Sequence, residues 1–92
     1  MSDSPANQVE LSNGSKFQFG PLMAGDLLDA VQQLGQAIEA APPYEASMVL
    51  TWRSAVRGGF QGTFREFVDA IPMQEVEAVV SAAQPFLSPT SK

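Results

Sequence analysis

Polar and apolar residues alternate along two short segments near the beginning of the chain. The alternate positions hold four apolar residues: Val9, Leu11, Phe17 and Phe19. A period of two is typical of a half-buried pair of strands. Asn13-Gly14, which lies between the two segments, is a strong turn dipeptide. The pattern therefore predicts a β-hairpin over residues 8–19.

The turn allows two registers, and they differ in where the apolar side chains point. A two-residue loop at Asn13-Gly14 would place the two apolar pairs on opposite faces. A three-residue loop over residues 12–14, with its glycine in the left-handed region, pairs Val9 with Phe17 instead. All four apolar side chains then share one face. Because a slip of one residue turns a whole face over, we expect the three-residue loop.

After the hairpin, apolar residues recur at the three- and four-residue spacing of amphipathic helices. This spacing predicts four helices, over residues 24–41, 44–57, 63–70 and 72–84. In the first helix, five residues form the stripe that we expect to be buried: Leu27, Leu28, Val31, Leu34 and Ile38. Pro42-Pro43 is predicted to end the first helix, and Gly58-Gly59 the second.

Two of the helix beginnings carry specific signals. Thr63, with a glutamate three residues later, has the spacing of a capping box. Pro72 suits the first turn of the last helix. We therefore predict an α+β, mostly α, fold in one domain over residues 8–87, with an N-terminal β-hairpin followed by three to four short helices packed as a small bundle. The ends, 1–7 and 88–92, are rich in Ser, Pro and Asn and are expected to be flexible.

Composition and charge disfavour several classes of function. The chain has 92 residues and a net charge of −5 with only five Lys and Arg, whereas binding to nucleic acid or to an anionic membrane surface needs a basic patch. No apolar run approaches the roughly 20 residues of a membrane-spanning helix. The lack of cysteine removes disulfide and thiol chemistry and is compatible with a cytosolic protein.

Catalytic chemistry also lacks its usual residues. The chain contains no histidine, so a Ser-His-Asp arrangement is excluded within one subunit. The glycine-rich segment over residues 58–62 lacks the Lys-Ser/Thr pair of a phosphate-binding loop, and its expected role is to connect two helices. The acidic residues have the spacing of solvated helix faces and helix N-termini. We therefore predict no enzyme activity, no metal site and no cofactor.

The remaining candidate residues suit contact with another protein. Arg53 and Arg57 lie four residues apart on one helical face, where they can anchor an acidic partner or simply favour the negative end of the helix dipole. Trp52, with Tyr44 and Phe60 nearby in the sequence, can form either a binding surface or part of the core. Six residues are the candidate partner contacts: Met48, Trp52, Arg53, Arg57, Phe60 and Arg65.

The order of these segments resembles a known family. The step from hairpin to first helix, Phe19-Gly20-Pro21-Leu22-Met23-Ala24-Gly25-Asp26-Leu27, is similar to that of the small tail assembly chaperones of long-tailed bacteriophages and phage-like particles. Residues 63–69, followed by Ile71-Pro72 and an acidic-apolar helix, resemble the second half of the same family. Met23 departs from the pattern of the family, in which Thr is often found at this helix cap.

This resemblance implies a function without catalysis. A tail assembly chaperone acts in the cytoplasm of the bacterial host, where it covers the aggregation-prone helical tape measure protein and helps to recruit the tail tube protein. The sequence does not fix the oligomeric state and is also compatible with a homo-oligomer. A structural virion component, such as a head–tail connector or minor tail protein whose hairpin pairs with its neighbours, is the alternative. A small cellular adaptor unrelated to phages is a third option.

Overall fold

The computed structural model describes residues 8–87, and the predicted flexible ends, 1–7 and 88–92, lie outside them. Two strands and four α-helices follow one another within that part of the chain: β1 Gln8–Glu10, β2 Lys16–Gln18, α1 Ala24–Leu34, α2 Pro43–Arg57, α3 Phe64–Asp69 and α4 Val76–Leu87. Single 3₁₀ turns at Ile38–Ala40 and Met73–Glu75 precede α2 and α4. The predicted α+β, mostly α, fold is confirmed.

The hairpin has the register that its apolar pattern predicts. Val9 lies opposite Phe17 in the antiparallel pair. The N–H of Leu11 donates to the carbonyl of Ser15 at 2.8 Å, and Gly14 adopts a φ of 92°. The three-residue loop is therefore confirmed. It turns the apolar face of the hairpin onto the helices, where Leu11 and Phe17 are buried.

Three phenylalanines join the hairpin to the helices at the centre of the molecule. The ring of Phe17 meets the rings of Phe60 and Phe67 edge-to-face, with centroids 5.8 and 5.0 Å apart. Phe60 and Phe67 also contact each other, at 5.4 Å. Edge-to-face pairs stabilise beyond the area they bury, by about 0.5–1.5 kcal/mol each. The cluster thus fixes strand β2, the loop after α2, and α3 as one unit.

Helix α2 is the central element and packs against α1, α3 and α4. Met48, Val49 and Ala55 are buried on it. Helix α3 begins at the predicted capping box, in which the N–H of Glu66 donates to the hydroxyl of Thr63 at 3.1 Å and the Glu66 carboxylate accepts from the Thr63 N–H at 2.9 Å. In α4, Val79 and Ala83 are buried.

The predicted first helix, 24–41, is wrong in its length. Helix α1 ends at Leu34, because Gly35 adopts a left-handed φ of 75° and its N–H caps the carbonyl of Val31. Ile38 therefore belongs to the separate 3₁₀ turn.

The buried face of α1 is also predicted wrongly. The helix buries Asp26 and Ala30, whereas Leu27, Leu28 and Val31 are exposed. The reason is the Asp26 carboxylate, which binds two arginines of α2 and turns its own side of the helix inward.

The last predicted helix, 72–84, lies further along the chain. Pro72 has an extended ψ of 141° and caps the 3₁₀ turn, so α4 begins only at Val76. The helix then continues through Pro85 to Leu87, because Phe86 and Leu87 pack against the core and offset the hydrogen bond that a proline removes. No helix within the described residues is long and apolar enough to cross a membrane.

A close approach between the end of β2 and the end of α2 fixes the hairpin in place. The N–H of Gly20 donates to the carbonyl of Ser54 at 2.9 Å, and the Ser54 hydroxyl donates to the carbonyl of Gly20 at 2.8 Å. At Gly58 the two backbones are so close that a Cβ atom would lie 1.9 Å from the carbonyl oxygen of Gln18. Only glycine fits this position.

Gly58→Ala is therefore expected to lower the free energy of unfolding by about 2–3 kcal/mol, since the added methyl group forces two backbone segments apart. Gly25→Ala is the matched control. A Cβ atom there meets nothing within 4 Å, so we expect the helix to gain about 0.5–1 kcal/mol from the same substitution. Urea denaturation followed by circular dichroism measures both. Equal effects of the two substitutions would contradict the close packing at Gly58.

Candidate partner-binding groove

A solvent-open apolar groove lies over α2, between the end of α1 and α3. Its volume is about 480 Å³. Met48 and Val49 form its floor, and Leu34, Phe64 and Val68 form its walls. The groove exists because α1 stops at Gly35, so that the chain turns away before it can cover this face of α2.

Two large side chains at the groove are strongly exposed. Tyr44, in the first turn of α2, is 65% exposed, and Met73, in the turn before α4, is 87% exposed. Both line the groove and face solvent as well. Tyrosine and methionine are enriched in protein interfaces, and the flexible thioether adapts to many shapes. These two residues mark the groove as a surface that can receive apolar side chains.

Of the six predicted contact residues, Met48 lines this groove and Trp52 lies beside it. Met48 is buried in its floor. Trp52 lies one turn further along α2, where its ring meets that of Phe64 edge-to-face at 5.7 Å and its indole N–H donates to the carbonyl of Gly62 at 3.2 Å. Trp52 is half-buried and packs against the core, and it does not line the groove itself.

Phe60 and Arg65 are not part of the groove. Phe60 packs into the phenylalanine cluster of the core. Arg65 lies on the outer side of α3, where its Nε is 3.2 Å from the Asp69 carboxylate and its side chain is 83% exposed. An exposed pair of this kind contributes at most about 1 kcal/mol.

Arg53 and Arg57 are engaged within the chain. Nη2 of Arg53 lies 2.9 Å from one carboxylate oxygen of Asp26, and Nε of Arg57 lies 2.8 Å from the other. The N–H of Met23 donates to the same carboxylate at 2.8 Å, and Arg53 also reaches Asp29 at 3.2 Å. The two arginines thus hold α1 against α2. The sequence analysis considered an anchor for an acidic partner and an effect on the helix dipole, and neither interpretation includes this contact.

The Asp26 carboxylate is fully buried, and its surroundings decide its ionisation. Burial by itself raises the pKa of a carboxyl group, but the hydrogen bonds from Arg57, the Met23 N–H and Arg53 outweigh it. The pKa of Asp26 is therefore below its ordinary value of 3.8. The pKa of Arg57 is raised in turn, chiefly by its hydrogen bond to Asp26. The cluster is an ion pair throughout the physiological range.

Arg53 and Arg57 are paired with acidic residues of α1, so the unpaired charges near the groove are acidic. Glu45 lines the groove itself, and Glu77 lines a neighbouring apolar depression that shares Tyr44. Arg53 stacks on the Trp52 ring, with its guanidinium carbon 4.8 Å from the centroid, but its charge is balanced by Asp26 and Asp29. Within residues 8–87, no group of three or more acidic side chains gathers as metal ligands do.

The residues that the sequence interpretation missed are Asp26 and Met73. Two arginines four residues apart on one helix predict a carboxylate opposite them, and Asp26 was available as that carboxylate in the preceding helix. Nothing in the sequence singles out Met73, because its exposure depends on the extended backbone of Pro72.

Asp26→Asn is expected to lower the free energy of unfolding by about 3 kcal/mol, because it leaves two arginines without their shared counter-charge. Asp69→Asn, at the exposed pair with Arg65, is the matched control and is expected to cost less than about 1 kcal/mol. Urea denaturation of both variants tests this expectation. Similar losses in the two variants would show that the Asp26 cluster does not hold α1 in place.

The same cluster predicts a pH dependence. Because the pKa of Asp26 is lower in the folded chain than in the unfolded chain, its stabilisation is complete above the unfolded value and is lost as the pH falls through the folded value. The difference in unfolding free energy between the wild type and Asp26→Asn is thus constant near neutral pH and shrinks below about pH 4. Urea midpoints between about pH 2 and pH 7 measure it. A difference that disappears above about pH 5 would contradict a lowered pKa.

Comparison with known proteins adds no relative to this picture. No family model matches the chain, no curated protein matches its sequence, and no solved structure matches its fold. The similarity to tail assembly chaperones therefore rests on the residues of the sequence alone, and function is argued from the contacts, exposure and charges of residues 8–87.

Proposed function

We propose that the protein is a non-enzymatic tail assembly chaperone that binds an apolar helical segment of the tape measure protein and helps the tail tube protein to assemble. The observation that carries this proposal is the open apolar groove over α2, with Tyr44 and Met73 exposed at it. The resemblance of the hairpin-to-helix step supplies the identity of the partner. The proposed place of action is the cytoplasm of the bacterial host during assembly.

The dimensions of the groove suit a helical client. Its volume of about 480 Å³ accommodates several apolar side chains. Side chains at positions i, i+3 and i+4 of an amphipathic helix project from one face and insert into a groove of this kind. A long helical protein that is still unassembled exposes many such faces. The proposed chaperone activity consists of covering these apolar faces one at a time.

Charge favours a client segment with basic residues beside its apolar face. The chain has a net charge of −5, and Glu45 lies in the groove. Opposite charge raises the rate of association and discriminates against acidic partners. The same acidic surface keeps the chaperone molecules apart from one another in solution.

The alternative is a structural virion component whose hairpin pairs with neighbouring subunits. The length and the polar residues of the first strand make this alternative less favoured. β1 has only three residues, and its outer positions carry Gln8 and Glu10. Short strands with charged side chains are the edges that proteins protect against pairing. The groove thus remains the surface better suited to a partner.

Co-expression of the tagged chain with the tape measure protein and tail tube protein of the same genome tests the proposal. We expect the tape measure protein to co-purify with the tagged chain, and the chain to be missing from completed particles. Recovery of connector or tube subunits, with the chain retained in particles, would support the structural alternative. Recovery of neither would argue against both phage functions.

Met73→Glu is expected to weaken binding of a short tape measure fragment at least tenfold, because it places a carboxylate at the apolar groove. Leu28→Glu is the matched control, since Leu28 is 69% exposed on α1 and does not line the groove. Trp52 is the single tryptophan and contacts the groove wall at Phe64, so its fluorescence reports the titration. Equal affinity of both variants would place the client elsewhere.

A further inference from the structure

The groove over α2 does not end at Tyr44. A second apolar depression, with a volume of about 580 Å³, adjoins it between the beginning of α2 and α4. Tyr44 and Val76 line both, so the groove and the depression meet at these side chains. Beyond them, the lining of the depression includes Ser47, Val80 and Ser81. We call the groove and this second depression together the two-part surface.

The side chains of α4 explain why the second depression is apolar. Val79 and Ala83 are buried in the core, whereas Val76 and Val80 pack only partly against it. Val76 and Val80 are four residues apart, so they lie on one side of the helix and form an apolar ridge there. Tyr44, which is 65% exposed, lies where this ridge meets the groove. Apolar side chains of a partner can therefore make contacts in both parts of the surface.

The charges on the two-part surface are acidic. Glu45 lines the groove, Glu77 lines the second depression, and both residues are exposed. Neither carboxylate forms an ion pair with another residue in the described range 8–87. The basic residues in that range line neither part: Lys16, Arg53, Arg57 and Arg65. Each part thus offers one negative charge that a basic partner can neutralise, and both charges repel an acidic partner.

The elements around the two-part surface favour a helical partner over an extended one. The lining residues come from the four helices and from the segment between α3 and α4, and neither strand of the hairpin contributes to them. An extended segment would therefore find no strand edge with which to pair its backbone N–H and C=O groups. A helix satisfies these groups internally and presents a row of apolar side chains along one side.

We propose that the two-part surface binds one amphipathic helix of about four turns, with apolar side chains in both parts and basic side chains beside Glu45 and Glu77. This inference rests on the proposed function only in taking the groove as the binding surface, and it adds the second depression, the charge of the occupant and its length. Exposed charge pairs contribute little affinity. Apolar contacts therefore provide most of the binding, and the two glutamates select basic helices over acidic ones.

Two synthetic helical peptides of about 14 residues test the proposal with the purified chain. Both peptides carry the same apolar side, and beside it one has lysines where the other has glutamates. We expect the lysine peptide to bind about tenfold more tightly than the glutamate peptide, with a difference that shrinks as salt is added. Fluorescence anisotropy of the labelled peptides measures both affinities.

Glu77→Lys is expected to weaken binding of the lysine peptide about three- to tenfold, because it reverses the charge of the second depression. Glu39→Lys is the matched control. Glu39 is also an exposed glutamate in a first turn, that of the 3₁₀ turn before α2, but it lines neither part of the surface. It changes the net charge equally, and we expect an effect of less than about twofold. Circular dichroism shows that both variants are folded.

Cross-linking tests whether one helix occupies both parts of the surface. The chain has no cysteine, so Gln33→Cys in the groove and Ser81→Cys in the second depression each introduce a single thiol. Both positions are exposed. A lysine peptide with a cysteine at one end is expected to form a disulfide with one of these variants. The same peptide with its cysteine at the other end is expected to react with the other variant.

Three results would overturn the proposal: equal affinity of the lysine and glutamate peptides, equal effects of Glu77→Lys and Glu39→Lys, or disulfides confined to Gln33→Cys whichever end of the peptide carries the cysteine. If the lysine peptide binds as expected but no tape measure fragment does, this inference holds and the proposed function fails. If a tape measure fragment binds but neither peptide does, the proposed function holds and this inference fails.

Discussion

The buried carboxylate of Asp26 determines how the first helix lies on the rest of the molecule. Removing a carboxylate from water costs several kcal/mol unless charged donors replace the water. Here two arginines of α2 and the Met23 N–H provide those donors at 2.8–2.9 Å. Because the two arginines lie on α2, their contacts with Asp26 set the rotation of α1. That rotation decides which residues of the helix are buried and which are exposed.

The observed burial of α1 follows from this constraint. The rotation turns Leu27, Leu28 and Val31 outward, and Asp29, which stays exposed, pairs with Arg53 at 3.2 Å. The helix ends at Leu34, which lines one side of the groove, and Glu45 lines it as well. The position of this short helix therefore bears on the groove as well as on its own exposed side chains.

The sequence predicts those parts of the fold that depend on neighbouring residues. The hairpin register follows from four alternating apolar positions and Gly14, and the capping box from Thr63 and Glu66. The rotation of α1 depends instead on Asp26 and Arg53, which are 27 positions apart. A prediction from the apolar pattern of a single helix takes no account of a contact between residues so far apart in the sequence. In the groove, Met48 is found from the sequence, but Met73 is not, since its exposure depends on how the turn after α3 is placed.

The conflict in α1 between apolar pattern and observed burial is itself informative. Burying a leucine or valine side chain fully stabilises a fold by about 1.5–3 kcal/mol, so leaving Leu27, Leu28 and Val31 partly in water is unfavourable for the isolated chain. The ion pairs of Asp26 with Arg53 and Arg57 hold the helix in that orientation. Exposed apolar residues lower their free energy when another surface covers them. Departures of this kind from local consistency are typical of functional or strained sites.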